Sequence, residues 1–330
     1  MVASLLASGA AVDIAMYGGV TPLRRACFEG YAEVVAALLA AGAAVDHAGD
    51  DAFTPLFLAC MEGHREVVAV LLKAGVAVDN AGYDDDTPLC SACRRGHVDM
   101  AVVLLAAGAA VDHPGNAGHT PLFIACLAGH ADLAALLLTA GAAVDRPVNL
   151  VTPLQIACSN DNLACVKVLS SHGASRSGAD YRNAHAAAVR AGHADLSAWL
   201  THSYYWSSPL HHLEIISACQ ARDLLRAGAD VDDAVREGGP TPRSLAQALS
   251  VAGNATAGSP AQLVLRAAEP WSPECHDLFP AAARARAVGL LGLGVLLSRQ
   301  WRFHGVEGAL MDVWLEGVIP SAVDRLVSHA

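Results

Sequence analysis

Residues 87–119 read TPLCSACRRGHVDMAVVLLAAGAAVDHPGNAGH, and the same arrangement returns along the chain. Thr-Pro-Leu triplets begin at Thr21, Thr54, Thr87, Thr120 and Thr152, at intervals of 33 residues and a final one of 32. A period in this range outranks any domain count taken from length. After each triplet come a short apolar segment, a turn, a second apolar segment, and a Gly-containing closure ending in Asp. The physics of one unit is readable. Thr54 suits the N-cap of a helix, and Pro55 suits its first turn, where a missing N–H costs nothing. Leu56, Ala59 and Cys60 then form an apolar stripe at helical spacing. Gly63 ends that helix by tolerating positive φ, and Glu66 places negative charge near the start of the next. Val67, Val68, Leu71 and Leu72 fill the second helix, Gly75 stops it, and Ala77 to Asp86 is a polar turn. A helix pair this small cannot bury its apolar face alone, so neighbours must stack into a solenoid.

These residues closely resemble the ankyrin repeat family, whose units carry a Thr-Pro-Leu-His-x-Ala signature with a period of 33. The resemblance implies an all-α solenoid of about eight helix–turn–helix units with turn fingers, followed by a helical C-terminal segment. Residues 1–182 hold the regular register, with the first unit partial. Residues 183–270 are degenerate: Asn183 to Trp206 keeps AAAVRAGHADLSAWL without Thr-Pro, Ser208-Pro209-Leu210-His211-His212 recovers the signature, and Thr241-Pro242 opens a last unit with a Gly-rich insert. Stacking is expected to be interrupted near 183–207, and Tyr204-Tyr205-Trp206 to plug the gap. LLASGAAVD near residue 5 matches LLAAGAAVD near residue 38, so the chain opens inside a second helix. A fragment of a longer multidomain ankyrin protein is one reading of that start.

Composition narrows the function classes. Of 330 residues, 54% are hydrophobic and 16% charged, too apolar for a disordered chain. The net charge of −11 lacks the basic footprint that nucleic acid or anionic lipid would need. No apolar run reaches the ~20 residues of a membrane helix, so neither nucleic acid nor membrane insertion is expected. The nine cysteines are an odd number, which fits a reducing, intracellular setting, cytoplasmic or nuclear.

No active site emerges, and no enzyme activity or cofactor is expected. Cys27, Cys60, Cys93, Cys126 and Cys158 share one repeat position. Spread one per unit, they cannot converge on one metal, and a buried Cys packs as a small hydrophobe. No metal site is expected. His64, His97, His130 and His193 each follow a Gly in the inter-helix turn. In ankyrin repeats this His resembles a turn-bracing hydrogen-bonder, and His211-His212 reads the same way. Neither a phosphate loop nor a nucleophile elbow is present, and the acids Asp84 to Asp86 fall on a turn tip where carboxylates are solvated.

What remains is surface. In ankyrin-like stacks the first helices and fingers line a concave face that takes a protein partner. The varying helix positions are Phe28-Glu29, Met61-Glu62, Arg94-Arg95, Leu127-Ala128 and Ser159-Asn160. The fingers add Asp50, Asp51, Phe53, Tyr83, Asp84, Asp86 and His119. Exposed aromatics, Met, Leu and Arg are the types enriched in hot spots, and acids beside Phe53 and Tyr83 suit a basic peptide with apolar anchors. The expected act is therefore non-catalytic binding of an unknown protein partner by a monomer. Residues 271–330 are expected to be a helical cap or docking segment. LMDVWLEGVIP faintly resembles an F-box opening, so a substrate-recruiting adaptor of a ubiquitin ligase, through an F-box or SOCS-box-like segment, is the alternative.

Overall fold

The computed structural model describes residues 9–82, 85–175, 179–206, 208–233, 239–269, 272, 275–285 and 287–288. The chain divides into two compact units, residues 1–201 and 202–330. Among the described residues the structure is helical, with two isolated β-bridges, Met16–Val20 and Val148–Val151.

In the first unit the helices come in pairs: α1 (Pro22–Glu29) with α2 (Ala32–Ala40), α3 (Pro55–Glu62) with α4 (Arg65–Lys73), α5 (Pro88–Arg95) with α6 (Val98–Ala106), α7 (Pro121–Ala128) with α8 (Ala131–Thr139), and α9 (Pro153–Ser159) with α10 (Leu163–Ser171). α11 (Ala179–Ala191) and α12 (Ala194–His202) follow. Every Thr of the triplets caps its helix. Thr21, Thr54, Thr87, Thr120 and Thr152 lie in extended backbone, and each hydroxyl accepts from the N–H three residues on. Each of these helices then begins with Pro, as the repeat pattern requires. Gly30, Gly63, Gly96 and Gly129 end the first helices with φ near +80°.

Successive first helices pack side by side, α1 on α3, α3 on α5, α5 on α7, α7 on α9 and α9 on α11, and successive second helices do the same from α2 to α10. One hydrophobic seam runs between the two layers. Leu23, Leu56, Leu89 and Leu122 from the first layer and Val35, Val68, Ala101 and Ala134 from the second are buried in it. The cysteine column Cys27, Cys60, Cys93, Cys126 and Cys158 lies fully inside the same seam. Burial disfavours the thiolate, so the Cys27 and Cys158 thiols are pushed up to about 12.

Two kinds of side-chain bond tie repeats to their neighbours. The Asp that closes each unit accepts a backbone N–H from the closure of the next unit: Asp13 from Ala44, Asp46 from Ala77, Asp79 from Ala110, Asp112 from Ala143 and Asp145 from Ser175, at 3.0–3.4 Å through both carboxylate oxygens. The turn histidines reach backward. His64 Nε2 donates to the Phe28 carbonyl at 2.9 Å and His193 Nε2 to that of Ser159 at 3.2 Å. They brace the preceding first helix, not only their own turn. The rings need the cap glycines, since a Cβ on Gly30 would meet the His64 ring at 2.6 Å. Asn162 stands where the fifth unit would carry His, and its amide does the same work, donating to the Cys126 carbonyl at 2.8 Å.

The second unit is built on a separate core of Leu210, Leu213, Ile216, Leu225, Leu263, Val264, Leu278 and Phe279. It holds α13 (Ala218–Arg226), α14 (Pro242–Val251) and α15 (Pro260–Ala267), with α15 packed on both others. The Ser208-Pro209-Leu210-His211 signature does not grow into a full helix. It forms one 3-10 turn, Pro209–His211, and stops at His212. The Ile215-Ile216 pair is β-branched, which disfavours helix, and Ser217 opens α13 with its own capping box. Trp206 packs in this unit against the rings of His202, His211 and His212 at centroid distances of 5.8, 6.5 and 5.0 Å. The LMDVWLEGVIP stretch, and with it the adaptor reading, lies outside the described residues.

Candidate functional site

The face formed by the first helices and the preceding fingers carries the residues singled out from sequence. Phe28, Met61, Arg94, Leu127 and Ser159 are the seventh residues of α1, α3, α5, α7 and α9, and because these helices pack in one layer they form a column. Glu29, Glu62, Arg95, Ala128 and Asn160 form a second column beside it. Identical caps at both ends of each of the first four helices hold these positions in register, so the side chains vary on a constant backbone. Phe28 and Leu127 keep 38% and 37% of their surface exposed, while Met61 is half-buried. Exposed apolar side chains thus recur on this layer, at Phe28 and Leu127.

Charge along these columns is partly spent within the chain. Glu29 pairs with Arg25 at 2.6 Å, and Arg25 lies 5.9 Å from the Phe28 ring centroid. Arg94 pairs with Asp86, and the other Asp86 oxygen accepts the Asn116 N–H at 2.9 Å. Asp86 is buried to 8% exposure, so the expectation of a solvated acid on the turn tip is corrected. It ties its own helix to the next finger. Asp51 is engaged as well, accepting from Arg24 at 2.5 Å and from the Phe53 N–H at 3.1 Å. Arg24 is itself buried at 1% exposure and also donates to the Gly19 and Phe53 carbonyls. Glu62 and Arg95 are exposed and enter no ion pair among the described residues. They are the free charges of the two columns.

The finger aromatics are half-buried, not projecting. Phe53 stacks on Phe57 with centroids 4.6 Å apart, and His119 stacks on Phe123 at 4.8 Å. Tyr83 and Asp84 lie outside the described residues. Sequence reasoning passed over Cys90, which with Cys93 makes a Cys-x-x-Cys spacing. Both thiols are free and buried, Cys90 Sγ lies 3.8 Å from the His113 carbonyl, and burial raises both. A thiol held protonated is a poor nucleophile or metal ligand. Asn162 was likewise missed, although its place in the His register was a usable signal.

Family models match most of the first unit. One described as ankyrin repeats (3 copies) covers residues 1–81 and 77–148, and one described as ankyrin repeat covers residues 149–181. No curated protein matches the chain. Among solved structures, the crystal structure of the human ASB11 ankyrin repeat domain is similar, with 31% sequence identity and a TM-score of 0.55 over 60% of this chain and 89% of that one.

Proposed function

The chain belongs to the ankyrin repeat family, whose repeats serve as protein-interaction scaffolds, and from that premise we propose that it grips a protein partner on the layer of first helices and fingers, the concave face in ankyrin-like stacks. The observation that carries this reading is the pair of columns. Five successive first helices present Phe28, Met61, Arg94, Leu127 and Ser159 at one position, with Glu29, Glu62, Arg95, Ala128 and Asn160 beside them. The scaffold beneath is rigid, so association avoids much of the ordering cost of a flexible surface.

The ion pairs refine the partner. Asp51 and Asp86 are consumed by Arg24 and Arg94, so a uniformly basic peptide is not what the face suits. Phe28, Met61 and Leu127 supply apolar anchors, with Glu62 and Arg95 as opposite charges one and two repeats along. A partner segment with apolar residues spaced for these anchors, flanked by one cation and one carboxylate, complements that pattern.

The test compares intact protein with a variant carrying Phe28, Met61, Arg95 and Leu127 all changed to Ala. Arg95 is preferred to Arg94 because removing Arg94 would orphan buried Asp86. Affinity capture from cell extract with quantitative mass spectrometry is expected to lose the specific partner from the variant. Retention of the same partner at unchanged affinity would remove this face from the account.

A further inference from the structure

The joint between the fourth and fifth helix pairs differs chemically from those before it. Cys126 of α7 belongs to the cysteine column, and Cys165 is the third residue of α10. At that register the earlier second helices carry Val67, Met100 and Leu133, all buried like Cys165 itself. The equivalent joints therefore have no second thiol at this place. The backbone brings the two cysteines together. The Asn162 amide, just before α10, donates to the Cys126 carbonyl at 2.8 Å and to that of Leu127 at 3.3 Å. Cys165 lies three residues further on, so it shares the face of α10 that Asn162 anchors to Cys126. The thiols meet in a side-chain hydrogen bond, with the Cys126 S–H donating to the Cys165 sulfur.

That bond makes the pair unequal. It pushes the Cys126 thiol well up, with burial adding to the effect. The same bond holds the Cys165 thiol below its ordinary value, against the pull of burial. Cys27, Cys60, Cys93 and Cys158 of the column are all raised instead. Packing alone does not require a thiol at residue 165, since Val, Met and Leu fill the same place elsewhere. One sulfur disposed to ionise, beside a second that keeps its proton, is the arrangement of an attacking thiol and a resolving thiol.

We propose that Cys126 and Cys165 form a peroxide-responsive disulfide that locks the fourth helix pair to the fifth. The Cys165 thiolate attacks one oxygen of hydrogen peroxide and the O–O bond breaks. Its sulfur is oxidised to a sulfenic acid, and the second oxygen leaves as water with the proton the thiol gave up. The Cys126 sulfur then attacks the sulfenic sulfur. An S–S bond forms, the S–O bond breaks, and the hydroxyl departs with the Cys126 proton as a second water. Two thiols and one peroxide thus become one disulfide and two waters. Peroxide is small and uncharged, and it reaches the seam through local opening of the joint. The closed loop restricts the unfolded chain, so oxidation stabilises this joint.

The test treats the full-length protein with hydrogen peroxide, alkylates the remaining thiols in urea, and maps chymotryptic peptides by mass spectrometry without reductant. The peptides holding Cys126 and Cys165 are expected to be joined, lighter by two hydrogen atoms and free of alkylation at both sulfurs. Cys219 is exposed, so its oxidation reports that peroxide reached the protein. The urea midpoint should rise on oxidation and return with dithiothreitol. Cys165→Val, which supplies the side chain of Val67, should abolish both the joined peptide and the midpoint shift. Full alkylation of Cys126 and Cys165 in protein whose Cys219 is oxidised would overturn the proposal. So would a disulfide found elsewhere, such as Cys90 to Cys93, or a midpoint shift that survives Cys165→Val.

Discussion

Residues 13–175 and residues 208–269 use the same local vocabulary of Thr or Ser caps, Pro starts and Gly-Ala closures, yet they join their helices differently. In the first stretch every closing Asp accepts a backbone N–H from the next closure, 30 or 31 residues on. In the second, Asp232 holds the corresponding place after Gly228-Ala229, but it pairs with Arg243 at 2.8 Å, the second residue of α14. The Gly-rich stretch between α14 and α15 breaks the 33-residue rhythm, and among the described residues no closure amide reaches this carboxylate. The lesson is that the ladder depends on the period, not on the motif. A correct Thr-Pro and a correct Asp do not by themselves make an ankyrin joint.

Four experiments would break or sharpen this contrast. The largest effect is expected from alkali. The Cys27 and Cys158 thiols have their folded pKa raised by burial from 9.0 to about 12. Their protonated form therefore stabilises the fold below pH 9, and that contribution is lost as pH climbs from 9 towards 12. Helical circular dichroism should fall across that window, and Cys27→Ala with Cys158→Ala should flatten the pH dependence. An identical profile would show that other groups govern alkaline unfolding. Next in size, Leu71→Ala empties a fully buried site in the seam and should cost about 2–5 kcal/mol in urea unfolding.

Smaller effects test the ladders directly. His64→Ala removes the bond to the Phe28 carbonyl and should cost about 1 kcal/mol. His64→Asn should recover part of that loss, because Asn162 already shows that an amide serves in this register. Smallest is the comparison of closing acids: Asp79→Ala should cost about 1 kcal/mol through its hydrogen bonds to Ala110, and Asp232→Ala under about 0.5 kcal/mol, as an exposed ion pair. Equal losses would mean that the two joints are energetically alike despite their geometry.

Much of this was legible in the residues. The Thr-Pro-Leu interval announced the helix pairs, and the caps at Thr21, Thr54, Thr87, Thr120 and Thr152 follow from local chemistry. The cysteine column was recognisable as core because one thiol per unit cannot gather around a metal. Other features were not local. The role of Asp46 becomes visible only when Ala77, 31 residues away, is placed beside it. The His211 turn looked like the start of a first helix, but Ser217 and the Ile215-Ile216 pair cut it short.

The amino-acid sequence by itself determined the brick: two short helices, their capped ends and the apolar stripes that force bricks to stack. Those depend on contacts within a few residues, where capping and helical periodicity act. Only the tertiary structure decided which charges remain free to meet a partner. Asp86 looked like an exposed finger acid until Arg94, eight residues on, and the Asn116 amide, thirty residues on, enclosed it. Glu62 and Arg95 are exposed and form no ion pair among the described residues. Availability of a side chain is a property of its neighbours in space, and stacking chooses those neighbours.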